Sequence, residues 1–288
     1  MQPLFEHRRR FGGFETRVLE LEGDGPPLVL LHGFADSADT WRVVLDRLGR
    51  MDRRAVAVDL PGFATADALR EGKVLPQLDR FAAAVVSSTA DEGGGEVVVA
   101  GNSLGGCVAL RAAQREKLPI AGVVPVSPAG LDMARWFVLL EREPILRTLL
   151  AVPAPLPEAV VRQVVARAYQ VLAFARPGEI DPAMVDAFTS HHRDRATVKR
   201  YLDTGRRLLP ELNHERCLRL DRVRCPVLVV WGERDVMVAP SGAERIVAAL
   251  PDAAVELLEG CGHCPQVEAA DRVAGLLAGF PETLARAA

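Results

Sequence analysis

Three short stretches carry the residue types that nucleophilic catalysis needs. "VVVAGNSLGG" sets Gly101-Asn102-Ser103-Leu104-Gly105 directly after an apolar run and directly before a helical pattern. G-x-S-x-G recurs by chance in many chains, but a strand-turn-helix context makes it specific. The turn is sharp, so side chains at 101 or 105 would collide with the flanking strand and helix. Its strained backbone lifts the Ser103 hydroxyl to the top of a sheet, and the start of the next helix supplies backbone N–H groups beside it.

A serine hydroxyl is a weak nucleophile and needs a base. Of the six histidines, His7 is N-terminal, His191, His192 and His214 fall in a long helical segment, and His32 ends a strand pattern. His263 alone follows the last strand pattern in a glycine-rich loop. "VLVVWGERD" puts Asp235 just past the preceding strand, where a carboxylate can orient the base. Ser103, Asp235 and His263 thus read as nucleophile, acid and base, each at a strand's carboxyl end. Asp132, soon after the strand that ends near Ser127, is the rival acid.

The histidine sits in "GCGHCPQVE", whose Cys261-Gly262-His263-Cys264 also admits a thiol redox pair or half a zinc site. The redox reading fails on topology, because too little chain follows Cys264 to build the further strands that a thioredoxin-like fold requires. Zinc would need a second ligand pair, and neither Cys217 nor Cys225 has a partner at knuckle spacing. His191-His192 with Asp194 makes no metal site either, since adjacent helical residues diverge by about 100 degrees. No metal or organic cofactor is expected. His32 is expected to shape the loop after its strand, Asp59 to bond backbone in a turn, and Trp41 to pack beneath that loop.

The elements that position these residues alternate. Apolar runs at Pro26 to Gly33, Arg54 to Gly62, Gly95 to Ser103, Ile120 to Pro128, Cys225 to Glu233 and Ala253 to Gly260 read as buried strands. Helical patterns at Leu75 to Ala90, Leu104 to Gln114, Gly242 to Leu250 and Pro265 to Phe280 separate them. Repeated βα units predict an α/β class with a mostly parallel, doubly wound sheet and a site at the strands' carboxyl ends. From Leu131 to about Arg224 the rhythm stops. Amphipathic patterns such as "EAVVRQVVARAYQVLAF" and "DPAMVDAFTSHH" predict an inserted helical cap over 131–224, with residues 1–130 and 225–288 forming the core. Met133, Trp136 and Phe137, at the start of that cap, are candidate substrate contacts.

Composition narrows the partners. A 288-residue chain, 49% hydrophobic, buries a sizeable core, and a net charge of −3 offers nothing to a phosphate backbone, so nucleic acid is not an expected partner. Arg8-Arg9-Arg10 reads as a solvated N-terminal tail. No apolar run approaches the roughly 18 residues of a membrane helix, and the N-terminus lacks the apolar segment of a secretory signal, so stable membrane insertion is not expected. Five scattered cysteines fit a reducing compartment, and a cytoplasmic location is the expectation.

Five motifs together resemble the α/β-hydrolase superfamily: "LLHGFADSADTW" its H-G-x loop, "DLPGF" the turn after the next strand, "GNSLGG" its nucleophile elbow, "WGERD" its acid turn and "GCGHCPQVE" its histidine loop. The resemblance runs from about Leu28 to the last helix, apart from the cap. It implies nucleophile Ser103, acid Asp235, base His263 and an oxyanion hole from the backbone N–H groups of Phe34 and Leu104. One departure is "DLPGFATAD", where relatives carry G-x-S after the phenylalanine. The expected activity is hydrolysis of an apolar carboxylic ester, the partner being a small apolar acyl substrate. Alternatives are carbon–carbon bond hydrolysis of a ring-fission dienoate, since "GNSLGG" is similar to the "GNSMGG" of those relatives, a cofactor-free perhydrolase, or a non-catalytic ligand-binding homologue.

Overall fold

A computed structural model describes residues 3–132, 158–182, 184–185 and 195–287. An eight-stranded sheet runs in the order β1-β2-β4-β3-β5-β6-β7-β8, with β1 Leu4–Phe11, β2 Phe14–Leu21, β3 Asp24–Leu31, β4 Arg53–Val58, β5 Val97–Asn102, β6 Ile120–Val126, β7 Leu228–Gly232 and β8 Ala254–Leu258. Every neighbouring pair from β4 to β8 is parallel, whereas β2 is antiparallel to both β1 and β4. The expected mostly parallel α/β sheet is therefore present, with a hairpin added at its N-terminal edge.

That hairpin corrects one expectation. Arg8, Arg9 and Arg10 belong to β1 rather than to a tail, and Arg8 and Arg9 pair with Glu15 and Glu92. Gly12 and Gly13, at φ +57° and +88°, form the two-residue turn, a conformation that two consecutive glycines adopt without steric cost.

Strand alternation sends side chains to two separate cores. Val29, Leu31, Val99 and Val229 face one side and pack under α2 (Leu75–Gly93), α3 (Leu104–Ala113) and α6 (Gly242–Ala249). Leu28, Leu30, Val98 and Val230 face the other and pack under α1 (Arg42–Arg50) and α8 (Ala270–Ala287). Because both faces are covered, the central strands read as continuous apolar runs. The pattern expected as one helix from Pro265 is broken: α7 (Pro265–Glu268) stops at Ala269, at φ −134° and ψ 46°, and α8 starts afresh.

Between β6 and β7 the described residues contain no strand. They carry α4 (Glu158–Ala173) and α5 (Arg195–Leu212). Met133, Trp136, Phe137, His191, His192 and Asp194 lie outside the described residues. Among the described residues no helix is long and apolar enough to cross a membrane.

Candidate active site

Ser103 occupies the turn from β5 to α3 at φ +53° and ψ −113°, a conformation that costs a non-glycine residue of order 1–3 kcal/mol. Three hydrogen bonds hold it there. The Ser103 N–H donates to Val126 O (2.9 Å), and Ser103 O accepts from the N–H of Ala129 (2.9 Å) and Cys107 (3.0 Å). The flanking glycines are required by space. A Cβ on Gly101 would lie 2.3 Å from the Gly105 carbonyl, and one on Gly105 would lie 2.3 Å from Leu31 O.

His263 sits in the loop between β8 and α7, and its Nδ1 lies 2.7 Å from Asp235 Oδ2. Both side chains are buried. The other carboxylate oxygen of Asp235 accepts the N–H of Met237 (2.8 Å) and Val238 (3.0 Å), so the acid is fixed by its own turn. An acceptor-only carboxylate makes Nδ1 the donor, which leaves the Nε2 lone pair to take a proton. Backbone packing locks the two loops together, since a Cβ on Gly232 would fall 1.9 Å from Gly262 O. Asn102, the residue before Ser103, donates its side-chain Nδ2–H to His263 O at 2.9 Å and so joins the elbow to the histidine loop.

The loop after β3 lies against the elbow, where a Cβ on Gly33 would be 3.4 Å from Ser103 Cβ. His32 is fully buried and shapes this loop. It accepts the Leu60 N–H at Nε2 (2.7 Å), so its Nδ1–H donates to Gly33 O (2.7 Å). Neither the Phe34 nor the Leu104 N–H donates to a carbonyl in the turns and loops of the described residues. Trp41 is fully buried and packs in the core under α1 and α8.

Ser103, Asp235, His263, Phe34 and Leu104 thus come from four loops at one end of the sheet. Asp132 does not join them, because its partly exposed carboxylate accepts from the Ser241 hydroxyl (2.8 Å) and lies 3.6 Å from Arg245. The cysteines around His263 are free thiols. Burial pushes Cys261 up to about 11 and Cys264 well above the ordinary thiol value, so neither is a ready thiolate. Cys264 Sγ lies 3.7 Å from the Tyr169 hydroxyl and 3.9 Å from Asn102 Oδ1. No cluster of metal-ligating side chains occurs among the described residues.

Several supporting groups escape a reading of the sequence. Asp59 bonds backbone at Ala38 N–H (2.9 Å), as expected of a turn carboxylate, and also pairs through both oxygens with Arg17 (3.1 Å each), which reaches Asp39 as well (2.7 Å). Burial alone would raise the Asp59 pKa, but the Arg17 bonds and charge outweigh it and hold the carboxyl below its ordinary value. Glu268, at the end of α7, accepts the N–H groups of Gly262 (2.5 Å), Ala175 (2.9 Å) and Arg176 (3.2 Å). Its pKa is nevertheless raised, burial being the largest cause. Asp36 is fully buried two residues past Phe34, and burial holds it well above the usual aspartate value.

The sequence profile of the alpha/beta hydrolase family matches residues 28–276. The chain is 30% identical over 270 residues to a dihydrolipoyllysine-residue acetyltransferase component of an acetoin cleaving system from Pseudomonas putida. That match takes in 91% of this chain and 65% of the relative, so the chain spans about two thirds of that protein's length. It is 26% identical over 271 residues to the monoacylglycerol lipase ABHD6 of Mus musculus, covering 90% of this chain and 76% of the lipase. Its fold superimposes on the crystal structure of a membrane phospholipase A with a TM-score of 0.77 at 24% identity, over 98% of this chain and 86% of that one.

Proposed function

The chain belongs to the alpha/beta hydrolase family, and from that premise we propose that it is a serine hydrolase that cleaves an apolar carboxylic ester through an acyl-enzyme. The observation that carries this reading is the 2.7 Å contact from Asp235 to His263 Nδ1, in a loop tied through Asn102 to the strained turn of Ser103. In the first step His263 Nε2 takes the hydroxyl proton as Ser103 Oγ attacks the acyl carbon. Asp235 keeps the imidazole in the Nδ1–H tautomer and stabilises the cation that forms. The N–H groups of Phe34 and Leu104 take the oxyanion charge. His263 then returns the proton to the departing alkoxide, leaving Ser103 acylated. Water, deprotonated by the same nitrogen, releases the acid and restores the hydroxyl.

Residues 131–224 serve as the cap on this reading, between core segments 1–130 and 225–288, and Met133, Trp136 and Phe137 are the proposed apolar contacts of the acyl chain. The lipase relative supports an apolar acyl group, as do the apolar neighbours of those residues in the sequence. The five cysteines, all unpaired, suit a reducing compartment such as the cytoplasm.

The test is kcat/KM on a series of p-nitrophenyl esters set against a 2-hydroxy-6-oxo-dienoate. Ester turnover should rise with acyl length by about 0.8 kcal/mol for each buried methylene until the pocket is full. Faster turnover of the dienoate would overturn the ester assignment in favour of carbon–carbon bond cleavage.

A further inference from the structure

The departure in "DLPGFATAD" is where the inserted segment meets the oxyanion loop. Ala64, just past Phe63, has φ +45°, a left-handed conformation that an alanine holds only when its surroundings impose it. On α5, the Tyr201 hydroxyl accepts the Ala64 N–H at 3.0 Å, beside turn bonds from the Ala66 N–H to Phe63 O (3.1 Å) and from the Thr65 N–H to Asp59 (3.3 Å). The Tyr201 ring lies 5.5 Å from that of Phe63, and Phe63, fully buried, meets Phe34 edge-on at 5.2 Å and His32 at 6.0 Å. One turn further along α5, Gly205 faces the tip of Phe34, and a Cβ added there would lie 3.3 Å from Phe34 Cζ. Phe34 is therefore held between Phe63 and the backbone of α5.

The helix itself is anchored to the core along its length. Arg207 donates to Gly72 O (2.7 Å), and Glu211 accepts the N–H groups of Val74 (2.7 Å) and Leu75 (3.1 Å) at the start of α2, where a carboxylate also complements the helix dipole. Aromatic pairs at these spacings are directional contacts, so a shift of one ring moves the next.

We propose that Tyr201 and Gly205 are positioning residues for the oxyanion hole: through the stack of Tyr201, Phe63 and Phe34, α5 sets the place of the Phe34 backbone N–H. The inference rests on the serine hydrolase reading and adds to it a specific dependence of transition-state binding on the insertion. Ground-state affinity for a small ester does not depend on that N–H, whereas the tetrahedral intermediate does.

The experiment compares Tyr201→Phe, Gly205→Ala and Ser103→Ala with the parent on p-nitrophenyl butyrate, with active sites counted by fluorophosphonate. Tyr201→Phe keeps the ring and removes the acceptor of the Ala64 N–H. Its turnover per titrated site should fall about tenfold, a fraction of the hundredfold or more that deleting an oxyanion donor costs. KM should change less than about twofold, while a trifluoromethyl ketone inhibitor weakens by the same factor as turnover falls. Gly205→Ala should change the melting temperature little, since the helix propensity gained by alanine offsets the 3.3 Å contact with Phe34, and yet lose turnover in the same way. A merely structural role would lower melting temperature and the titrated fraction together and leave turnover per site alone. Should both variants match the parent per site and in inhibitor binding while Ser103→Ala is inactive, the positioning role is wrong and the serine hydrolase reading stands. If Ser103→Ala retains turnover, both fall.

Discussion

The two sides of the candidate site are built by different means. On the core side, the Ser103 and His263 loops are fixed by backbone crowding: Gly101 against Gly105, Gly105 against Leu31, Gly232 against Gly262. On the insertion side, α4 and α5 reach the His263 loop and the loop after β4 mostly through hydrogen bonds, although a Cβ on Gly262 would also lie 2.7 Å from Ala175 N. Ala173 O accepts the His263 N–H at 2.8 Å, Glu268 clamps Ala175 and Arg176, and Tyr201 holds Ala64. The crowded side can take one geometry only, because no side chain fits where the glycines pass. Apart from Gly262, the insertion side depends on contacts that can be lengthened or repacked, so substitutions there should have graded effects.

The comparison breaks most severely at the nucleophile. Ser103→Ala should lower kcat by about 10⁶-fold with the fold intact, because members of such a unit do not act independently. Next comes the orienting acid. Asp235→Asn should cost about 10⁴-fold through the wrong imidazole tautomer, and Asp132→Asn, whose carboxylate faces Ser241 and Arg245, should leave kcat within about twofold. A crippled Asp132→Asn beside a mild Asp235→Asn would move the acid to the other strand.

Steric fixing on the core side can be tested against its opposite on α5. Gly105→Ala puts a Cβ 2.3 Å from Leu31 O and should destabilise the chain by about 2–4 kcal/mol, read in a urea melt, whereas Gly205→Ala, whose Cβ meets only the tip of Phe34 at 3.3 Å, should change stability by no more than about 1 kcal/mol. Smaller still is the effect of the thiols. Replacing Cys261 and Cys264 together by serine should keep at least about half of the activity, because neither cysteine contacts the reacting atoms on this account. A folded but inactive double variant would return the redox or metal reading of that loop.

The smallest expected effect is a pH dependence. Burial raises the Asp36 carboxyl well above its ordinary value, so the folded chain binds that proton more tightly than the unfolded chain. Between the ordinary aspartate pKa and the raised one, stability falls as pH rises. The neighbouring carboxylates Asp39 and Asp59 reinforce this, and the buried Tyr169 hydroxyl and Cys264 thiol face the same pocket. Asp36→Asn removes the titration, so its melting temperature relative to the parent should increase from pH 5 to pH 8. A difference that is flat across that range would show that Asp36 titrates as an ordinary aspartate.

What the sequence discloses follows the same division. The elbow and the histidine loop are legible because glycine spacing is a local requirement and because buried parallel strands such as "LVVW" leave continuous apolar runs. The β1–β2 hairpin is not, since "LFEHRRRF" is exposed almost throughout and shows no apolar alternation, although Gly12-Gly13 carries a turn signal. Arg17 with Asp59, and Phe34 with Phe63 and Tyr201, are hidden for another reason. Their partners stand far apart in the chain, and charge or aromatic character at a single position names no partner. Helix breaks hide similarly, as at Ala269, an ordinary helix former that leaves helical geometry at φ −134° and ψ 46° between α7 and α8.

The central claim is that Ser103 is the activated nucleophile of this fold. The most direct measurement is reaction of the native protein with a fluorophosphonate, followed by intact mass and peptide mapping. The account predicts one adduct per chain, located on Ser103, absent from Ser103→Ala and formed far more slowly by His263→Ala. Native protein that remains unlabelled, or an adduct mapped to any other residue, would contradict it.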